Sequence, residues 1–215
     1  MINAVEHAAA ISAVGNSRHW VFDMDGTLTE PVHDFALIRR ELGVPAESDI
    51  LQHLATLPAQ QAAQSHAWLM EHEHALALAA TPAPGAVALI RALQAAGCRL
   101  GILTRNAREL AQVTLAAIGL DDCFAAQEVI GRWEVAPKPS PAGLQFFVER
   151  WKVAPAAMRM VGDHYYDLAT AHAAGVPGVL VNQPGDPWPG MARWQVRDCA
   201  ELLECWCSSS AVIAR

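Results

Sequence analysis

The hydrophobic rhythm of the chain changes twice. His19-Trp20-Val21-Phe22 is a short apolar run that breaks off into Asp23-Met24-Asp25-Gly26-Thr27, the pattern of a buried strand delivering a polar turn. From Val32 to about Ala80 the period becomes helical. Phe35, Leu37, Ile38 and Leu42 recur at helical spacing, and Gly43-Val44-Pro45 stops that helix. Leu51, Leu54 and Leu57 mark a second short helix that ends near Pro58, and a third runs from about Gln60 to Ala79. Thr81-Pro82-Ala83-Pro84-Gly85 is a rigid connector suited to a hinge or a domain boundary.

Beyond the connector, strands and helices alternate. The pattern predicts a helix over Ala86–Ala96 closed by Gly97, a strand over Arg99–Leu103, and a helix over Ala107–Ile118 closed by Gly119. A strand near Val129–Ile130, a helix over Pro141–Trp151 and a strand over Met158–Val161 follow. A helix over Asp167–Ala174 closed by Gly175 and a strand over Val179–Val181 complete the series. Such alternation predicts a parallel sheet covered on both faces, and the short apolar runs suit strands buried on both sides. The expectation is an α/β fold with a Rossmann-like core, residues 19–30 and 82–207, interrupted after its first strand by a helical cap, residues 31–81. Residues 1–18 read as a frayed lead-in and residues 208–215 as a loose tail.

Composition narrows the function. Of 215 residues 53% are hydrophobic and 17% charged, enough for a large core without a metal or disulfide staple. Fifteen Lys and Arg against 22 Asp and Glu leave a net charge of −7, which gives no general attraction to nucleic acid or anionic membrane. No apolar run is long enough for a membrane span, and the stretch Ala8–Val14 follows Glu6 where a signal peptide would carry a basic flank. The cysteines Cys98, Cys123, Cys199, Cys205 and Cys207 form no disulfide framework, and Cys205-x-Cys207 lacks the second half of a zinc site. Reduced thiols and a cytoplasmic location are expected, with oligomeric state open between monomer and homodimer.

In an open parallel sheet the chemistry collects at the carboxyl ends of the strands. Asp23 and Asp25 follow the first strand, Thr104, Arg105 and Asn106 the second, and Gly162, Asp163 and Asp167 the fourth; Lys138 precedes the Pro141 helix. Distant segments thus bring carboxylates, a hydroxyl and an ammonium to one edge. Carboxylates hold a hard divalent cation through oxygen, while a hydroxyl, backbone N–H groups and a lysine hold phosphate oxygens. That set fits phosphoryl transfer. In Asp23-x-Asp25 one acid can attack phosphorus while the other handles protons, provided that a metal and Lys138 neutralise charge.

Phe22-Asp23-Met24-Asp25-Gly26-Thr27-Leu28-Thr29 resembles the first motif of the haloacid dehalogenase-like (HAD) hydrolases. Leu103-Thr104-Arg105-Asn106 is similar to the second, Lys138 in Lys138-Pro139-Ser140-Pro141 to the third, and Gly162-Asp163-His164-Tyr165-Tyr166-Asp167 to the fourth. The resemblance runs from about Trp20 to Val181, and the helical insert is similar to the cap of the phosphoglycolate phosphatase-like branch. It implies a Mg²⁺-dependent phosphatase for a small phosphorylated metabolite. Asp23 would be the nucleophile, forming an aspartyl-phosphate, and also a Mg²⁺ ligand. Asp25 would serve as acid and then base, its backbone carbonyl joining the metal shell. Thr104 would bind the transferring phosphoryl group, with Arg105 and Asn106 beside it among the substrate-binding residues; Lys138 would bind substrate and offset charge on Asp23 and phosphate, and Asp163 would bind Mg²⁺. Asp167 would act on the metal through water or by orienting Lys138. Arg105 stands where the family often has a small or amide residue, so it reaches into the substrate pocket or forms an ion pair. Glu30-Pro31 likewise replaces the Asp-Ser that often follows the first motif.

Rival readings remain. A hydrolytic dehalogenase lacks the second acid that Asp25 supplies. A phosphomutase keeps both acids, with Thr27 favouring the hydrolase. A non-catalytic binding module on the same fold predicts loss of one of Asp23, Asp25, Lys138 or Asp163, and all are present. Thr104 also reads as an N-cap for the Ala107 helix, His164 as substrate contact or plain loop, and Glu71-His72-Glu73-His74 as a solvated face. Substrate choice is assigned to the cap.

Overall fold

The computed structural model describes Val14 and residues 17–213, with side chains as far as residue 208; nearly all of the expected lead-in lies outside the described residues. The elements run β1 (His19–Phe22), α1 (Phe35–Leu42), α2 (Ile50–Thr56), α3 (Ala59–Leu78), α4 (Ala86–Ala95), β2 (Arg99–Leu103) and α5 (Arg108–Ala117). There follow β3 (Val129–Ile130), α6 (Ala142–Trp151), β4 (Met158–Gly162), α7 (Tyr165–Ala174), β5 (Gly178–Leu180), β6 (Trp194–Gln195) and α8 (Cys199–Ile213). The six strands form one sheet in the order β3-β2-β1-β4-β5-β6, every pair parallel. The fold is α/β and Rossmann-like.

The first apolar run lies at the centre of the sheet. Phe22 stands opposite Ile102 on one side and Val161 on the other. Successive side chains of a strand point to opposite faces, and β1 uses both. Trp20 and Phe22 join Leu89 and Leu93 of α4, Leu115 of α5 and Leu202 of α8. Val21 joins Leu144 and Phe147 of α6, Met160 of β4 and Ala171 of α7. Each such burial is worth about 1.5–3 kcal/mol, so the strand that carries Asp23 is held from both faces.

Helices α1–α3 occupy the interrupting segment and share a small core of Ile38, Leu54 and Leu69. Asp34 caps α1 by accepting from the Leu37 N–H at 2.9 Å, and Asp49 caps α2 by accepting from the Gln52 N–H at 3.0 Å. Gly43, at φ 64°, closes α1 in the left-handed conformation that glycine adopts without strain. The two backbone crossings between cap and core lie side by side. Glu30 N–H donates to the Thr81 carbonyl at 3.0 Å, and Ala83 N–H to the Leu28 carbonyl at 2.9 Å. Of the cap helices, α3 also packs on α5 of the core.

Most boundaries lie within a residue of the sequence reading; two differ by more. Helix α7 starts at Tyr165, ahead of the expected Asp167, because His164 is the N-cap: its Nδ1 accepts from the Tyr166 N–H, while the Asp167 carboxylate accepts from the His164 N–H. This reciprocal cap also places Asp167. At the C-terminus α8 continues through Ser208 to Ile213, so the segment expected to be loose extends a helix; residues 214–215 lie outside the described residues. The serine run hid this. Ser208 satisfies its hydroxyl by donating to the Glu204 carbonyl one turn back, at 2.8 Å.

Candidate active site

The site is built on the backbone that leaves β1. Asp23 N–H still donates to the Val161 carbonyl at 2.9 Å, so the chain is extended there and Asp23 is fixed by the sheet. It then folds back over Gly26, at φ 79°, where any side chain would collide with the Asp163 carboxylate. Gly162 leaves room in the same way: a side chain there would strike Asp167. Both glycines therefore set how close the carboxylates approach.

Lys138 lies buried between Asp23 and Asp167, with Nζ 2.5 Å from an oxygen of each. Burial alone would lower the ammonium's pKa, but Asp167 and Asp23 outweigh it and hold Lys138 charged, above the ordinary lysine range. Thr27 donates its hydroxyl to Asp163 at 2.8 Å. Asp23, Asp163 and Asp167 each offer an oxygen, and these oxygens lie within 4.8 Å of one another. Burial first, and then the charge of Asp23, pushes both Asp163 and Asp167 above the usual carboxylate range. The repulsion marks a place where positive charge is wanted.

Asp25 points to the same opening. Its Oδ2 accepts from the Asn106 side-chain amide at 2.7 Å, and His33 Nδ1 stands 3.8 Å from its Oδ1. Burial, followed by Asp23 and Glu73, pushes the Asp25 carboxyl up to about 8. Burial also lowers His33, so the contact joins two neutral groups at neutral pH. Thr104 is buried, with its N–H tied to the Ile130 carbonyl at 3.0 Å. Its hydroxyl oxygen accepts from the Asn106 N–H at 3.0 Å, which closes the turn ahead of α5. Thr104 is thus not the N-cap of that helix, a position held by Ala107.

The site residues read from the sequence therefore converge. They share a cavity of ≈ 390 Å³ whose other wall is the cap, with Ile38, Ile50, Leu51 and Leu69 as its apolar part. Arg105 both lines this cavity and forms an ion pair. Its Nη2 meets Asp49 of the cap at 2.6 Å, its Nη1 donates to the Lys138 carbonyl at 2.5 Å, and its guanidinium lies 4.4 Å from the Tyr166 ring centroid. Tyr166 donates its hydroxyl to the same Asp49 carboxylate at 2.9 Å. His164 lines the cavity and caps α7.

The expected solvated face of α3 also fails. Glu73 does not belong to a solvated face; it is buried and receives two bonds from buried Arg132, at 2.9 and 2.7 Å. His74 and Glu71 beside it are exposed, so α3 turns one charge inward, onto the core. His33, Asp49, Glu73, Arg132 and Tyr166 were not singled out from the sequence. Asp49 left a trace there, as an acid just ahead of the apolar residues of α2, and Tyr166 lies inside the fourth motif.

Comparison with known proteins agrees with this geometry. The family model for haloacid dehalogenase-like hydrolases matches residues 18–175. A phosphoglycolate phosphatase of Rhodospirillum rubrum is 41% identical over 100 residues, covering 46% of this chain and 41% of that protein. The chain thus spans less than half of that relative. A phosphoglycolate phosphatase of Thiobacillus denitrificans is 29% identical over 185 residues, 73% of this chain and 79% of the relative. The crystal structure of a hydrolase from Pseudomonas syringae superimposes with a TM-score of 0.71 at 20% identity, covering 88% of this chain and 98% of that one, and so shares the fold. With four motifs gathered at one sheet edge, the chain belongs to the haloacid dehalogenase-like hydrolase family.

Proposed function

We propose that this protein is a Mg²⁺-dependent phosphatase that hydrolyses a small phosphorylated metabolite through an aspartyl-phosphate on Asp23. The observation that carries the reading is the pairing of Asp23 with buried Lys138 at 2.5 Å, beside a second acid, Asp25, whose pKa is raised to about 8. Asp23 is paired with an ammonium and placed for attack, and Asp25 holds a proton at neutral pH. Two acids whose environments separate their roles divide the work of nucleophile and proton donor.

The donor set fits Mg²⁺. Asp23 and Asp163 would hold it with the Asp25 carbonyl; they are hard oxygen donors, and the crowding of carboxylates calls for a cation. When bound, the ion neutralises phosphate charge and orients the phosphoryl oxygens. Both oxygens of Asp167 already have donors, Lys138 and the His164 N–H, so its part is to orient Lys138.

In the first step an Asp23 oxygen bonds to phosphorus and the bond from phosphorus to the leaving alkoxide breaks. The Asp25 proton passes to that alkoxide, which leaves as the alcohol. In the second step Asp25, now a carboxylate, takes a proton from water as the water oxygen attacks phosphorus. The bond to Asp23 breaks, phosphate leaves, and both acids return to their starting states. Asn106 keeps Asp25 aimed at the reacting group, while Thr104 and Lys138 bind phosphoryl oxygens.

The cap closes over the site and sets substrate choice, swinging on the paired crossings at Glu30–Thr81 and Leu28–Ala83. All five cysteines are free, which suits the reducing cytoplasm, and among the described residues no helix is long and apolar enough to cross a membrane. The test is phosphate release from p-nitrophenyl phosphate and a panel of phosphorylated metabolites, with Mg²⁺ and after chelation. Release that disappears on chelation and returns with Mg²⁺ is expected. Absence of release from every phosphomonoester with Mg²⁺ present overturns the reading.

A further inference from the structure

The backbone just after the Asp25 carbonyl is loose by composition. Gly26 stands there at φ 79°, and a Cβ on it would lie 2.4 Å from an Asp163 oxygen, so only glycine fits. Glycine is also the residue with the widest backbone freedom, so the turn needs support from outside. The residues just beyond β5 supply it. Asn182 donates its side-chain amide to the Gly26 carbonyl at 2.7 Å and to the Thr27 carbonyl at 3.2 Å. Both partners are acceptors only, which fixes the orientation of the amide. The Thr27 carbonyl has a further, weaker donor in the Cys199 thiol at 3.6 Å.

Asn182 is itself held in place. Its backbone is left-handed, at φ 57°, a conformation that asparagine tolerates better than most residues. Its N–H donates to the Arg197 carbonyl at 3.0 Å, and the Val181 N–H donates to the carbonyl of Gly162, the neighbour of Asp163, at 3.0 Å. Gln183 then donates its side-chain amide to the Asp163 carbonyl at 2.8 Å. Three successive residues after β5 thus hold both halves of the carboxylate cluster, the turn after Asp25 and the turn at Asp163. The two halves also meet directly, where the Thr27 hydroxyl donates to Asp163.

We propose that Asn182 and Gln183 are positioning residues for the divalent cation: by fixing the two carbonyls after Asp25 and the carbonyl of Asp163, their amides set how the Asp25 carbonyl and the Asp163 carboxylate stand to one another. The inference rests on the Mg²⁺-dependent reading and deepens it. Mg²⁺ demands near-ideal octahedral geometry at short range, so a turn free to drift loses affinity for it. Partners that orient the ligands of a metal are worth about ten- to a hundredfold in its affinity.

The test reads Mg²⁺ binding apart from turnover. The thermal-unfolding midpoint is followed against Mg²⁺ concentration, without substrate; one titration gives both the stability of the metal-free protein and its affinity for the ion. Asn182→Gly keeps the left-handed backbone and removes the amide, and its dissociation constant for Mg²⁺ should rise about tenfold or more over wild type. Gln183→Ala removes the bond to the other half of the cluster and should move the constant in the same direction. If Asn182→Gly fails to fold, Gln183→Ala decides alone. An asparagine that is merely structural predicts a lower midpoint without metal and an unchanged affinity. A folded Asn182→Gly protein that binds Mg²⁺ within about twofold of wild type therefore overturns this inference and leaves the phosphatase reading standing. A wild-type midpoint that does not rise with Mg²⁺ also overturns it, and phosphate release that survives chelation overturns the Mg²⁺ reading with it.

Discussion

Glu73 gives the sharpest test of how the cap is fastened to the core. It lies on α3 of the cap, 7% exposed, and binds Arg132, 5% exposed, which lies just beyond β3 in the core. Two bonds at 2.9 and 2.7 Å join them, and the Arg132 Nε is buried without a partner even with Glu73 in place. Glu73→Ala removes the carboxylate and leaves the guanidinium only the Arg105 carbonyl at 3.3 Å and the Met70 sulfur at 3.4 Å. Breaking a buried pair from one side costs about 3–5 kcal/mol, a third or more of the total stability of many domains. At about 2–4 °C per kcal/mol for a chain of this size, the midpoint of thermal unfolding should fall by roughly 6 to 20 °C. The double variant Glu73→Met with Arg132→Leu removes both charges, and most of the loss should be recovered, because well-packed apolar side chains replace a buried pair at little net cost. Urea unfolding of the wild type, both single variants and the double variant measures the coupling. A Glu73→Ala variant that loses less than about 1 kcal/mol would refute the burial argument, since that is the range of an exposed ion pair.

Other outcomes follow from the same geometry. The Asp25 carboxyl rises from 3.8 to about 8 on folding, so between those values the folded, metal-free protein holds a proton that the unfolded chain has lost. Its contribution to stability therefore falls as pH rises across that window. Asp25→Asn should make the metal-free protein more stable than wild type near pH 8 and flatten the pH profile; a melting curve with the wild-type pH dependence contradicts this. Arg105 ties the cap to the core through Asp49 and braces the Lys138 carbonyl, so Arg105→Leu should lower kcat/KM by about tenfold or more. Asp49→Asn keeps a competent N-cap for α2 while removing the charge, and should reproduce the kinetic loss with little loss of stability. Equal kinetics in wild type and both variants rules out the latch.

What could be read from the sequence was what the chain encodes locally. Asp23, Asp163 and the turn Thr104-Arg105-Asn106 each stand directly after a short apolar run, and a strand end is a position that pattern alone marks. Long-range pairing of charges leaves no such mark. Glu73 and Arg132 are separated by 59 positions, and Glu73 sits among Glu71, His72 and His74, which look like the face of a solvated helix. Only the packing of α3 on α5 turns it inward. Arg105 was noticed because its residue type was unusual, but its partner Asp49 lies on an element whose position over the sheet no periodicity fixes. Strand β6 left no mark for another reason: Trp194-Gln195 lacks the apolar β-branched pair that marks the equally short β3 at Val129-Ile130, and β6 pairs with the edge that β5 offers.

The central claim, that phosphate passes through Asp23, is tested most directly by rapid acid quench of the Asp25→Asn variant with Mg²⁺ and an activated ester such as p-nitrophenyl phosphate. A good leaving group needs little protonation, so attack by Asp23 should proceed, while the loss of the base at Asp25 slows hydrolysis. Mass spectrometry of the quenched protein should then show one added phosphoryl group, on the peptide that carries Asp23, and none after the further change Asp23→Asn. Phosphate release with no phosphorylated peptide at any time, or the phosphoryl group on another residue, contradicts the account.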